Sequence, residues 1–262
     1  MKKYISMIRC GFLEAITYKS NFTISTLANF LQVVVLYYVW KSVFQYQEVV
    51  NGYTWEIMRR YVFVAFLCNS ALSFGFELQT AGRIIKGDII MDFLKPVSYR
   101  AQIFYKMVGM AGMEFLITLL FTSVVYVAVN GVEGITVGRC VFFLLSLLLG
   151  QGIKFQIQYL FSLLCFYTDN AYGVLKGREV LTNFFSGALV PLAMFPVFLR
   201  NLVQILPFSG IVSIPCTIFI GNYSMEETMA AIGFQIVWCL LLFGAGTFLW
   251  KKASSVVVIY GG

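Results

Sequence analysis

The sequence predicts an all-α polytopic membrane protein with six transmembrane helices, and three observations carry that prediction. Hydrophobic residues make up 60% of the 262 positions and charged residues 12%, with a mean hydropathy of +0.82. A soluble domain carries roughly 25% charge and 45–50% apolar residues, so this chain lacks the polar side chains to cover a water-facing surface. The apolar residues fall into long runs divided by short polar segments, and Lys and Arg collect in alternate segments.

Residues 1–21 read as an interfacial helix. Ile5, Ile8, Phe12 and Ile16 recur at helical spacing, with Lys2, Lys3, Arg9 and Lys19 elsewhere on the surface. Such a basic amphipathic helix lies in the plane of the interface rather than across it. No short apolar run with a small-residue cleavage site marks a signal peptide, so the segment is expected to be retained.

Span one covers about 22–44, where residues 22–40 carry no charge, enough to cross a hydrocarbon core of about 30 Å. Tyr37, Tyr38 and Trp40 near its end form an aromatic belt, and Asn51-Gly52 marks a turn. Span two covers about 60–79, and a polar loop at 80–104 follows. Span three covers about 105–129, ends at Asn130-Gly131, and contains Glu114.

Span four covers about 137–166 and contains Lys154; its apolar character outruns what the bilayer needs, so it tilts or protrudes. Thr168-Asp169-Asn170 ends it. Span five covers about 180–200. Four of the five prolines (Pro191, Pro196, Pro207 and Pro215) lie between Val180 and Met225. Proline removes a backbone donor and breaks helices, and broken backbone at membrane depth is tolerated where protein or a water-filled cavity covers it. Residues 191–222 therefore read as a re-entrant outer segment, with a further span as the alternative. Span six covers about 227–250, opens on the capping-box pattern Ser224-Met-Glu-Glu227, and stops at Lys251-Lys252.

With the N-terminus inside, the inner segments hold thirteen Lys or Arg and the outer segments only Lys41, Arg59, Arg60, Arg139 and Arg200. Six spans then place both termini in the cytoplasm. The net charge of +7 belongs to this bias. No basic face alternates with aromatic platforms, so nucleic acid is not an expected partner. The expected location is the cell membrane of a bacterium, as a multi-pass protein among membrane lipids.

Few groups offer chemistry. There is no histidine, and the six cysteines are scattered without a C-x-x-C pair. No metal site is expected. Asp88 and Asp92 stand at i, i+4 but lack a third ligand, so a solvated helix face explains them better than a metal. Between Gly87-Asp88, with Asp88 as N-cap, and Pro96, a short helix is expected to carry Asp88, Asp92 and Lys95 on one face. Ile89, Ile90, Phe93 and Leu94 fall on the other. Such an apolar knob suits a groove on a partner, or equally the inner leaflet. Glu114 is an ionisable group inside a span, either functional or solvated by neighbouring helices. Lys154 is expected to snorkel. The chain has no G-x-x-x-x-G-K-[ST], so it carries no ATPase of its own and is not expected to be an enzyme.

Two stretches bring a known family into view. Gly87-Asp-Ile-Ile-Met-Asp-Phe-Leu-Lys-Pro-Val97 is similar to an inner loop ending in leucine, any residue, proline. Phe185-Ser-Gly-Ala-Leu-Val-Pro-Leu-Ala-Met-Phe-Pro196 with Leu206-Pro-Phe208 is similar to a glycine, proline, phenylalanine-proline stretch. With the order of parts along essentially the whole chain, they resemble the membrane subunit of type-2 ABC exporters, above all small drug-efflux permeases of the daunorubicin-resistance type. The resemblance implies that Asp88, Ile89, Ile90, Asp92, Phe93, Leu94 and Lys95 form the coupling helix, seated in a cleft of a cytoplasmic ABC ATPase dimer. ATP and magnesium would be held by that ATPase, with no cofactor on this chain. A second permease subunit, identical or related, would face this one. Gly187, Pro191, Phe195, Pro196 and Pro207 would belong to the outer gate, and the cargo would be amphipathic. A membrane-embedded lipid enzyme, which would need clustered acids or histidines, and a secondary transporter or channel, which would show more intramembrane charge, remain the competing readings.

Overall fold

A computed structural model describes residues 2–17, 19–70, 76–85, 89–131, 136–168 and 170–257. Eleven α-helices and one small hairpin make up the regular structure of these residues. Helix α1 (Lys2–Thr17) precedes α2 (Lys19–Tyr46). Strands β1 (Val49–Val50) and β2 (Tyr53–Thr54) pair antiparallel around Asn51 and Gly52, whose φ angles of 47° and 83° are those a tight hairpin turn requires. The turn expected at Asn51-Gly52 is thus present.

Helix α3 (Trp55–Ser70) returns, followed by α4 (Phe76–Ile85), the single turn α5 (Ile90–Phe93) and the long α6 (Tyr99–Asn130). Gly131, at φ 71°, ends α6 where the Asn130-Gly131 signal put the break. Helix α7 (Val137–Leu164) runs into a 3-10 turn to Tyr167. The Asn170 side chain accepts from the Gly173 amide at 3.0 Å and caps α8 (Ala171–Phe185). Two short helices follow, α9 (Val197–Ile205) and α10 (Ser213–Ile220), and then α11 (Met225–Val257). Its capping box is closed in both directions. The Ser224 amide donates to Glu227 Oε2 at 2.7 Å, and the Glu227 amide donates to Ser224 Oγ at 3.2 Å.

Among the described residues, three helical stretches, Leu27–Tyr46, Val137–Tyr167 and Met225–Ser254, are long and apolar enough to cross a membrane. The two halves of α6, Tyr99–Gly112 and Glu114–Asn130, bent by 40° from one another, make a fourth when counted as one span. The stretch expected to be continuous over 180–200 is not one helix. Helix α8 stops at Phe185, and Gly187 takes φ 86°, a left-handed conformation that cannot continue the turn. Pro191 and Pro196 then keep the backbone extended, at ψ 135° and 146°. Helices α9 and α10, of nine and eight residues, are each far shorter than the roughly 20 needed to span.

The main apolar core lies where α3, α7, α10 and α11 meet, around Met58, Tyr61, Cys68, Ile153, Ile211 and Cys216. By contrast Leu27, Leu31, Val34, Val35 and Tyr38 of α2 point outward. An apolar stripe of that length is a liability in water and ordinary in lipid. Helix α1 lies against α6 without intervening side chains. A Cβ on Gly11 would overlap the Lys106 carbonyl, and one on Gly109 would overlap the Ile8 carbonyl. Small residues at such a crossing let two backbones approach closely.

Candidate functional site

The polar segment after α3 folds into a pinned knob. Asp92, expected on a solvated face with Asp88 and Lys95, is instead drawn inward. Its carboxylate pairs with Arg83 of α4 at 3.0 Å and with Lys95 at 2.7 Å. Its carbonyl accepts from Gln102 of α6 at 2.8 Å. Ile89, expected among the apolar residues of the exposed knob, is 1% exposed and packs with Tyr99, Ile103, Met107, Phe155, Tyr159 and Leu163. The cause is the brevity of α5, one turn that cannot present a long two-faced stripe. Asp88 lies outside the described residues.

What remains on the outside is apolar. Leu94 is 76% exposed and Met91 65%, with Ile90 beside them. Phe93 is half-turned inward, its ring edge-on to Trp250 of α11 at 5.5 Å and to Tyr99 at 6.1 Å, and Tyr99 stacks on Trp250 at 4.7 Å. The turn is thus held from α4, α6 and α11 while its tip faces outward.

Helix α1 joins the same region through charge. Glu14 pairs with Lys106 of α6 at 2.8 Å and accepts from Gln79 of α4; Lys106 also donates to Gln79 at 3.2 Å. Burial raises the Glu14 pKa, but the hydrogen bonds from Lys106 and Gln79 and the charges of Lys106 and Arg83 outweigh it, leaving the carboxyl below its usual value. Arg100, the second residue of α6, lies over the rings of Tyr159 and Phe243 at 4.7 and 4.3 Å and donates to the Phe243 carbonyl at 3.1 Å, fastening α6 to α7 and α11.

The proline-rich segment is equally well tied. The Gly187 carbonyl accepts from the Tyr61 hydroxyl at 2.8 Å, and the Ser213 amide donates to the Ser186 carbonyl at 2.9 Å. Pro191 is buried at the start of a 3-10 turn, and Phe195 packs in an apolar cluster with Leu192 and Val203. Pro196 is exposed at the head of α9, and Pro207 is buried at the head of another 3-10 turn. Gln235, inside the uncharged run of α11, donates to the Gly210 carbonyl at 2.7 Å and to the Ser146 carbonyl at 3.0 Å. A cavity of about 760 Å³ lies between this segment, the hairpin and the start of α11.

The intramembrane charges come to a third place. Glu114 is buried and accepts from Asn29 of α2 at 3.0 Å. Lys154 does not snorkel: it is buried and donates to the Asn69 carbonyl at 2.6 Å. Arg178, one of the thirteen inner-segment cations counted from the sequence, is buried in a 2.7 Å ion pair with Glu77. Lys154, Arg178, Glu77, Asn29 and Asn69 all line one polar cavity of about 340 Å³. Glu77 and Arg178 stand at the edges of apolar runs, which was the one sequence signal that could have marked them. Of the residues grouped by the sequence, Ile89 packs in one apolar cluster and Phe195 in another.

Among the described residues no group of three or more Cys, Asp or Glu side chains is placed to hold a metal ion. A comparison with curated proteins returns no match. The family described as ABC-2 family transporter protein matches residues 30–261. That match covers most of the chain and agrees with its long apolar helices, which make it a multi-pass membrane protein. The chain belongs to the ABC-2 family of transporter proteins, and is a membrane component of such a transporter.

Proposed function

We propose that this chain is the permease subunit of an ATP-driven exporter, energised by a separate ATPase that binds the turn at Ile90–Leu94. The observation that carries the reading is the combination at that turn. Its apolar tip, Met91 and Leu94, is exposed, while its base is fixed by Asp92, Ile89 and Phe93 to α4, α6 and α11. A surface that is apolar at the tip and rigid at the base is suited to receive a push from a partner and pass it on. Families of this kind work with an ATPase subunit, which would hold the ATP and magnesium.

In this reading six spans place both termini and the coupling turn in the cytoplasm. Two permease subunits, identical or related, face each other across the pathway. The segment 191–222 re-enters the outer side, since neither α9 nor α10 is long enough to cross. Gly187, Pro191, Phe195, Pro196 and Pro207 shape the gate. The cargo is amphipathic, as in the drug-efflux permeases the sequence resembles, and the membrane is that of a bacterium.

The test is affinity purification in mild detergent. The wild-type chain is expected to retain an ATP-hydrolysing subunit, and Met91→Asp with Leu94→Asp to lose it. Both side chains are exposed, so the permease itself should be unharmed, within about 0.5 kcal/mol. A chain that purifies alone and transports without ATP would overturn the proposal in favour of a secondary transporter.

A further inference from the structure

The polar cavity between α2, α3, α4, α7 and α8 is not filled by the protein's own hydrogen bonds. Among the described residues, three groups on its wall are buried and carry atoms with no hydrogen-bond partner: Glu77 Oε1, Arg178 Nε and Thr182 Oγ1. As whole residues they are 5%, 6% and 1% exposed. A buried polar atom left unpaired costs about 1–3 kcal/mol, so three together on one wall call for a partner that occupies the space.

The chemistry of that partner follows from the wall. Arg178 Nε can only donate, the Glu77 carboxylate can only accept, and the Thr182 hydroxyl does either. An anion would meet Glu77, and a cation would meet Arg178 and Lys154. The charges lining the cavity are Lys154, Lys176, Arg178, Glu77 and Glu179, and Glu114 is joined to the wall through Asn29. Three positive and three negative charges leave it neutral. At about 340 Å³ the space equals roughly eleven waters and falls within the range of small-ligand sites. Tyr172 and Lys176 are exposed at its rim.

We infer that this cavity binds a neutral, hydroxyl-bearing head of the transported molecule, a sugar-like group whose hydroxyls donate to Glu77 and accept from Arg178. The inference rests on the transporter reading and names the class of cargo for it. It does not depend on the ATPase.

The test uses the full chain in lipid nanodiscs, with labelled octyl glucoside below its micelle-forming concentration as the probe. Octyl sulfate and octyltrimethylammonium serve as charged counterparts. Saturable binding of the glucoside above that of empty nanodiscs is expected. Thr182→Val, close in shape and leaving the Arg178–Glu77 pair intact, should weaken it about tenfold. Asn183→Ala, on the same wall and half-buried, is a second variant should the first fail to fold, and should weaken it by a smaller factor. Phe198→Ala, exposed on α9, should change nothing. Preference for either charged probe, no saturable binding of any probe, or unaltered binding to both wall variants would overturn the inference. Each of those results leaves the ATPase-retention experiment untouched, so the two readings fail separately.

Discussion

Removing either member of the Arg178–Glu77 pair alone should cost far more than removing both. The two side chains are 8% and 6% exposed and meet at 2.7 Å. With charge centres about 4 Å apart and an effective dielectric of about 20, their attraction is about 4 kcal/mol. Arg178→Met leaves a buried carboxylate, and Glu77→Leu leaves a buried guanidinium. Each should lower the unfolding free energy by about 3–5 kcal/mol. The double variant removes both charges of the pair and leaves an apolar contact of similar volume, so its cost should be about 0–2 kcal/mol. The four proteins form a double-mutant cycle, read by SDS titration with tryptophan fluorescence on the full chain in mild detergent. The expected coupling exceeds about 3 kcal/mol, far outside the additivity of independent sites. Single variants that each cost under about 1 kcal/mol, or costs that add within about 0.5 kcal/mol, would refute the reasoning. Such a result would mean that the cavity contents screen the pair as bulk water does.

Three further outcomes are expected. Gly109→Ala puts a methyl group into the Ile8 carbonyl and should part α1 from α6; hydrogen exchange over residues 2–17 should rise by at least tenfold, and unchanged protection would show that the crossing is loose. The Glu14 carboxyl is held below its ordinary value in the folded protein. Its contribution is therefore present above the unfolded pKa and lost as pH falls through the folded one. Acidification below the ordinary carboxylate range should raise exchange in α1, and Glu14→Gln should abolish that pH dependence. Pro196→Ala, at an exposed head of a helix, should change stability by less than about 1 kcal/mol yet alter transport; unchanged transport in vesicles would remove this residue from the gate.

The sequence carried the local features well. The Asn51-Gly52 turn, the stop at Asn130-Gly131 and the Ser224–Glu227 box all depend on residues within a few positions of one another. The polar cavity was not legible for the opposite reason. Glu77 and Arg178 are 101 positions apart, and Asn29 and Glu114 are 85 apart. Each of these residues has a plain local explanation, as a loop charge or a span edge, and nothing in the chain announces the partner. Lys154 illustrates the point: a long cation inside an apolar run reads as a side chain reaching for water, and the Asn69 carbonyl that accepts from it comes from a different helix. Asp92 was misplaced because one helical turn obeys its neighbours, here Arg83 and Gln102, more than its own periodicity.

The crossing of α1 and α6 has a mechanical corollary. Most helix pairs meet through layers of side chains, whose rotamers can yield and absorb small displacements. Gly11 and Gly109 leave no such layer, so backbone rests on backbone. Shear applied to the N-terminal helix therefore reaches the first turns of α6 undamped, where Gln102 and Arg100 tie α6 to the α5 turn and to α11. In this chain the N-terminal helix is less a float on the bilayer than the rigid crank of the helix behind it.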